Sequence, residues 1–263
     1  YLSSSDKAFV LSGLNGTYFE GNNTTIAIET KDLSWKGYLN ITDCKNVHFN
    51  DINFDTILPS NLTGKVVDGN VYDDNYLTLV DSEFNPLMET IEAKMSKPRI
   101  RSWVEFNQNT KTPLDGGNFL VDDFSSYEIT KSASNVYTLK VNFSTGGKSR
   151  PRNGTLVSVQ FSQYDAVGIN IGNAENIYLE NVEMYHASGM GLVAQTSTNL
   201  YVNRFALKVK EGSNALMTAT ADAMHFSLLH GDVHITNSLI EYSHDDALNI
   251  KYGFWYKLVE TGT

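Results

Sequence analysis

Cysteine occurs once and proline five times in 263 residues, and Lys plus Arg number 20 against 30 Asp plus Glu. The lone Cys44 excludes a disulfide within these residues, and with it a small disulfide-stapled scaffold; its neighbours suggest a buried thiol at a strand end. A formal charge of −10 disfavours a nucleic-acid partner, which would be met by clustered Lys and Arg. The scarcity of proline, with 41% hydrophobic and 11% aromatic residues, speaks against disorder and for a sizeable core, and no membrane span is expected. The chain opens on Tyr1 without Met, a basic n-region or an apolar h-region, so any export signal is expected to lie outside it.

What is present is a repeat. Asp165-Ala-Val-Gly-Ile169, Met190-Gly-Leu-Val-Ala194, Asp222-Ala-Met-His-Phe226 and Asp246-Ala-Leu-Asn-Ile250 share one apolar alternation, at intervals of about 24 residues apart from a longer second step. A second family interleaves with it, at Asn176–Met184, Asn199–Leu207 and Asp232–Ile240, with an earlier relative at Asn46–Phe54. Period-two runs rich in Val, Ile, Tyr and Phe read as strands, and a period of this length reads as stacked turns of a right-handed parallel β-helix. The long second interval holds Lys208–Met217, an insertion expected to wall the cleft beside Asp222.

Between residues 60 and 158 the texture changes. Tyr76–Val80, Ser102–Phe106, Tyr127–Thr130, Val136–Val141 and Leu156–Gln160 are strand-like, with turn signals at Leu114-Asp-Gly-Gly117 and Thr145-Gly-Gly147. The pattern predicts an antiparallel barrel or sandwich inserted into the helix path, and hence β-helix turns over 1–59, an inserted β-barrel-like domain over 60–158 and further turns over 159–263. An open last turn exposes strand edges, so the chain is expected to be an N-terminal part of a longer protein.

One turn of the repeat places Asp222 under Asp246, with Asp245 alongside. Parallel strands lie about 4.8 Å apart, so three carboxylates share one patch, and their repulsion is expected to keep a proton on one of them. A protonated acid beside ionised carboxylates is what glycoside hydrolysis needs. On the residues alone two other readings stay open: aspartates that cap turns, the expectation for Asp165, and a calcium site. If Met224, Phe226, Leu248 and Ile250 point inward, His225 and Asn249 point outward beside the acids, where both can bond sugar hydroxyls. His244 and Lys251 are further candidates. Arg99, Arg101, Arg150 and Arg152 lie in or near the insertion and could reach the cleft.

Thr220-Ala-Asp222-Ala-Met-His225-Phe226, Gly231-Asp-Val-His-Ile-Thr-Asn237 and Asp245-Asp246-Ala-Leu-Asn249-Ile250, preceded by Tyr185-His-Ala-Ser-Gly-Met-Gly191, resemble glycoside hydrolase family 110, the exo-acting α-1,3-galactosidases. The resemblance implies a β-helix interrupted by a small β-barrel and an inverting α-galactosidase acting on terminal α-1,3-linked galactose of blood-group-B-like or linear glycans. It implies Asp222, Asp245 and Asp246 as the catalytic residues. By analogy with other three-aspartate β-helix hydrolases, Asp245 donates the proton while Asp222 and Asp246 hold and deprotonate the water. One departure is Lys251-Tyr252, where that family usually continues with His-Gly.

The expected partner is therefore an oligosaccharide or glycoconjugate, with neither cofactor nor metal required, a homo-oligomer allowed, and an extracellular or periplasmic location inferred from that function. The rivals are a polygalacturonase-like hydrolase or a lyase on the same scaffold, and a non-catalytic glycan-binding β-helix.

Overall fold

Period-two alternation becomes strand everywhere it is strong. The computed structural model describes residues 7–30, 32–70, 75–144 and 151–252. Among them the fold is all-β with one short α-helix. The first strands, β1 (Lys7–Ser12), β2 (Asn15–Ile28), β3 (Gly37–Thr42) and β4 (Lys45–Thr56), fall alternately into two sheets. Seven strands then form a sheet of their own: β5 (Asn61–Asn70), β6 (Asn75–Val80), β7 (Ser102–Phe106), β8 (Pro113–Leu120), β9 (Phe124–Lys131), β10 (Tyr137–Phe143) and β11 (Leu156–Gln160). The alternation resumes with β12 (Ile169–Gly172), β13 (Glu175–Met184), β14 (Leu192–Gln195), β15 (Thr198–Leu207), β16 (Met224–Ser227), β17 (His230–Thr236), β18 (Leu239–Ile240) and β19 (Leu248–Lys251).

The front sheet has the order β1-β3-β12-β14-β16-β19 and the back sheet β17-β15-β13-β4-β2, with β18 beside β15, and every pairing in both is parallel. Parallel register stacks like on like. Leu39, Ile169, Leu192, Met224 and Leu248 stand side by side in front, and Val47, Ile177, Leu200 and Val233 behind. The inward columns meet in one core that includes Ile41, Ile171, Phe205 and Phe226.

Four front strands, β3, β12, β14 and β16, turn into the next back strand through a left-handed residue, Asp43, Asn173, Thr196 or Leu228, with φ of 54°, 51°, 47° and 54°, and β1 does so at Gly13, φ 70°. A second bend recurs within the back strands or just past them, at Asp51, Asn181, Arg204 and Asn237 (φ 59°, 51°, 54°, 52°). Asn and Asp tolerate this region better than other non-glycine residues, which is why the repeats carry them at fixed places. Another left-handed set, Asn46, Asn176 and Asn199 (φ 52°, 54°, 58°), bonds along the stack: Asn46 Nδ2 donates to Asn15 Oδ1 at 3.0 Å, Asn176 to Asn46 at 2.8 Å and Asn199 to Asn176 at 2.8 Å. Tyr18, His48, Tyr178, Tyr201 and His234 form a matching ladder of rings, with centroids 3.9 Å apart for His48–Tyr178 and 4.6 Å for Tyr178–Tyr201. Cys44 is buried just after β3 and its thiol donates to the Thr42 carbonyl at 3.3 Å, as expected of a strand-end cysteine.

The third sheet is antiparallel throughout, in the order β8-β7-β11-β5-β6-β10-β9. Its interior holds Leu62, Trp103, Tyr137, Val157 and Val159, all fully buried. The helix α1 (Asn85–Glu92) covers part of this core with Leu87, Met88 and Ile91. Its pattern is only two turns long, too short to stand out from the strands around it.

Leu114–Gly117, expected as a turn, lies inside β8; its glycines serve a bulge, where Gly116 takes φ 66° and the β7–β8 register shifts. At Gly117 a Cβ would stand 2.8 Å from both Glu105 Cβ and Arg152 Nη2, so the glycine there reports close approach rather than a loop. The first copy of the repeat also shifts: Gly168, Gly191 and Ala223 donate their N–H groups to the carbonyls of Met190, Asp222 and Asp246, which stacks Val167, not Asp165, with Met190 and the two acids. The anticipated turn at Thr145–Gly147 lies outside the described residues.

The insertion Lys208–Met217 clamps the antiparallel sheet to the parallel stack. Lys210 pairs with Asp55, Asn214 Nδ2 donates to Asp81 Oδ2 at 3.1 Å, and Leu216 and Met217 pack on Val104 and Phe106. His186 makes a second joint: the Ser60 N–H donates to its Nε2 at 3.1 Å.

Candidate active site

Asp222 and Asp246 occupy the same position in successive links into the front sheet. Ala187, Ala219 and Ser243 bridge in parallel beneath them, and Ala223 N donates to the Asp246 carbonyl at 2.8 Å. Two residues on, β16 and β19 begin, and register sets His225 beside Asn249. Each acid holds its own outward neighbour three residues later. His225 Nδ1 lies 2.7 Å from Asp222 Oδ2, and Asn249 Nδ2 donates to Asp246 Oδ2 at 3.0 Å. An ionised Asp222 can only accept, so it holds the imidazole with its proton on Nδ1. The pairing locks the ring with Nε2 left for a ligand.

Asp222, Asp245 and Asp246 each place a carboxylate oxygen within 4.8 Å of the other two. Asp222 is buried while Asp245 and Asp246 are exposed, so the cluster is reached from one side. Asp245 Oδ1 also accepts the Asp246 N–H at 3.1 Å, which fixes its side chain over the turn. Such a trio has the composition to donate a proton and to polarise a water, and also to hold a hard cation such as calcium through oxygen ligands.

The other expected contacts divide. His244 is partly buried beside the acids, and burial holds its imidazole below the usual range against the opposing field of Asp245. Lys251 is exposed two positions beyond Asn249 and level with Ser227. Arg152 serves the antiparallel sheet instead: its Nε and Nη2 donate to Oε2 of the fully buried Glu105 at 3.1 and 3.0 Å, and its N–H to Oε1 at 2.6 Å. Arg99 lines a separate depression on that sheet with Tyr127, the Arg101 N–H is spent on the Gln160 carbonyl, and Arg150 lies outside the described residues. Asp165 is exposed and outside the acid trio.

Tyr164 is the residue that sequence reasoning missed. Its loop is tied to the strand link before Asp222 by the Thr220 hydroxyl, which donates to the Gln163 carbonyl at 3.2 Å. The ring is 54% exposed, and its phenol is pushed up by partial burial and by the negative fields of Asp245 and Asp222. An exposed aromatic within the polar run Ser162-Gln-Tyr-Asp165 was the available signal. The 161–168 loop, rather than Lys208–Met217, therefore borders the acids.

No protein-family model matches the chain. Among curated proteins it is 33% identical over 132 residues to alpha-1,3-galactosidase B of Phocaeicola vulgatus, a match covering 50% of this chain and 22% of that relative. It is 32% identical over 110 residues to alpha-1,3-galactosidase A of Bacteroides fragilis, covering 42% and 18%. Against alpha-1,3-galactosidase B of Bacteroides thetaiotaomicron the identity is 23% over 251 residues, covering 92% of this chain and 39% of the relative. The resemblance drawn from the motifs at 185–250 is thus borne out, and the chain spans well under half the length of these relatives.

Proposed function

We propose that this chain carries the acid site of an exo-acting α-galactosidase that removes terminal α-1,3-linked galactose from blood-group-B-like or linear glycans. The convergence of Asp222, Asp245 and Asp246 within 4.8 Å is the observation that carries it. Exposed Asp245 protonates the leaving oxygen, while Asp222 and Asp246, one strand apart, hold and deprotonate the water. His225 and Asn249, each fixed by its own aspartate, bond the sugar hydroxyls, with His244 and Lys251 at the rim. In this reading the parallel sheets are faces of a right-handed β-helix, residues 60–158 are an inserted barrel-like domain, and 1–59 and 159–263 belong to the helix. A glycan substrate of this kind places the protein in the extracellular or periplasmic space. Among the described residues no helix is long and apolar enough to cross a membrane.

The resemblance implies inversion, for which acid and base carboxyls stand roughly 6.5–9.5 Å apart. The 4.8 Å here is a closest approach of one oxygen from each acid rather than a separation of carboxyl groups, so the stereochemical course rests on the anomer released. The test is proton NMR of α-1,3-galactobiose and a B-type trisaccharide with the protein. Early β-galactose marks inversion and early α-galactose retention; Asp245→Asn is expected to slow release by roughly 10²–10⁴-fold, the contribution of a general acid. Glycan binding without release, strengthened by calcium and abolished by a chelator, would replace the hydrolase with a cation-dependent binding module, the second reading the acid trio supports.

A further inference from the structure

The columns that carry the acid site run on across the front sheet and change character. Asp246 and Asp222 are followed by Met190 and Val167; Asn249 and His225 are followed by Val193, Asn170 and Asn40. A groove of about 180 Å³ opens over these earlier strands, bordered by the amides of Asn40, Asn170 and Gln195 and by the apolar Val167 and Met190. Among the described residues no charged side chain lines it, in a chain of net charge −10. Asn170 Nδ2 donates to Asn40 Oδ1 at 2.7 Å, which orients both amides and leaves Asn170 Oδ1 and Asn40 Nδ2 for a ligand.

Gly172 carries the second observation. It lies in the floor of the groove at the end of β12, its φ is not in the left-handed region, and a Cβ there would meet only Thr42 Cγ2, at an ordinary 3.7 Å. Neither backbone conformation nor a crowding neighbour requires glycine, and glycine weakens a strand. What its missing side chain does is keep the groove open.

We infer that this groove is a further sugar subsite, holding the third unit of the glycan, a neutral hexose on the leaving-group side of the bond set at the acids. Amides meet hydroxyls, Val167 and Met190 meet the C–H face of the ring, and the uncharged lining excludes the uronates that an acidic polysaccharide would bring. Asn170 stands two strands from His225, about 10 Å at the usual strand spacing, a reach that one trisaccharide spans. The inference rests on the hydrolase reading for the direction of the glycan, and not for the existence of the subsite.

The experiment compares α-1,3-galactobiose with a linear trisaccharide ending in α-1,3-galactose, for binding by calorimetry in an Asp245→Asn background and for kcat/KM in the active chain. Gly172→Phe, which fills the groove, and Asn170→Ala are each expected to weaken trisaccharide binding by about tenfold and to leave galactobiose unchanged, with thermal midpoints as controls. Should Gly172→Phe fail to fold, Asn170→Ala decides alone. Trisaccharide affinity untouched by the variants, equal losses for both glycans, or no binding of either overturns the subsite. Normal hydrolysis with unaltered variants removes the subsite alone, whereas variant-sensitive trisaccharide binding without any hydrolysis keeps the subsite and removes the hydrolase.

Discussion

The parallel stack and the antiparallel sheet handle polar groups in opposite ways. In the stack a position is repeated, so Asn15, Asn46, Asn176 and Asn199 bond one another in a line, each contributing a little. The antiparallel sheet has no such repetition; beside the buried neutral Thr63, Thr78, Ser102, Ser158 and Gln160 it buries the charge of Glu105, held by Arg152 and Thr155. Repetition gives a surface that tolerates loss and can be edited one strand at a time. The acid site is such an edit: the column is Val167 and Met190 on two strands and aspartate on the next two. A buried charge gives a joint that fails at a single residue.

The sharpest break of this contrast is Arg152→Leu, which strands the Glu105 carboxylate in the interior. It is expected to destabilise the protein by about 3 kcal/mol, read by urea unfolding, with Trp103 fluorescence reporting the antiparallel core first. Next comes the junction at His186. Burial lowers its imidazole to about 4, and the ring stays neutral with Nε2 accepting from Ser60. The unfolded chain takes up that proton near pH 6.5, so between the two values it binds more protons than the folded protein. Stability is complete above pH 6.5 and drains by up to roughly 3 kcal/mol as pH falls toward 4, with His244 acting in the same direction. His186→Gln should flatten that slope in thermal melts from pH 7 to 4, and an unchanged slope would assign the acid sensitivity elsewhere. The smallest effect belongs to the ladder: Asn176→Ala removes two bonds of a repeated series and is expected to cost about 1–2 kcal/mol, with activity retained.

Much of this was legible in the chain. Ser102–Phe106 and Leu156–Gln160 are strands with the expected bounds, and the stacking of Asp222 with Asp246 followed from their spacing. Asp165 misled because it also opens an Asp-Ala-apolar run, and a motif two residues out of phase looks the same until hydrogen bonds set the register. Arg152 and Tyr164 were misjudged for a related reason. An arginine in sequence carries no sign of the buried Glu105 it serves, and an exposed tyrosine none of the carboxylates it faces across more than fifty residues.

The sequence by itself determined the strand periodicity, the places where Asn and Asp turn the chain, and the recurrence that puts acids on adjacent strands, because these depend on side-chain alternation and local backbone preference. Only the tertiary structure decided that the three carboxylates come within 4.8 Å, that Asp222 holds His225, and that Gly172 floors an open groove. Those facts depend on register and on which surface covers which, and both are settled by contacts between segments far apart in the chain.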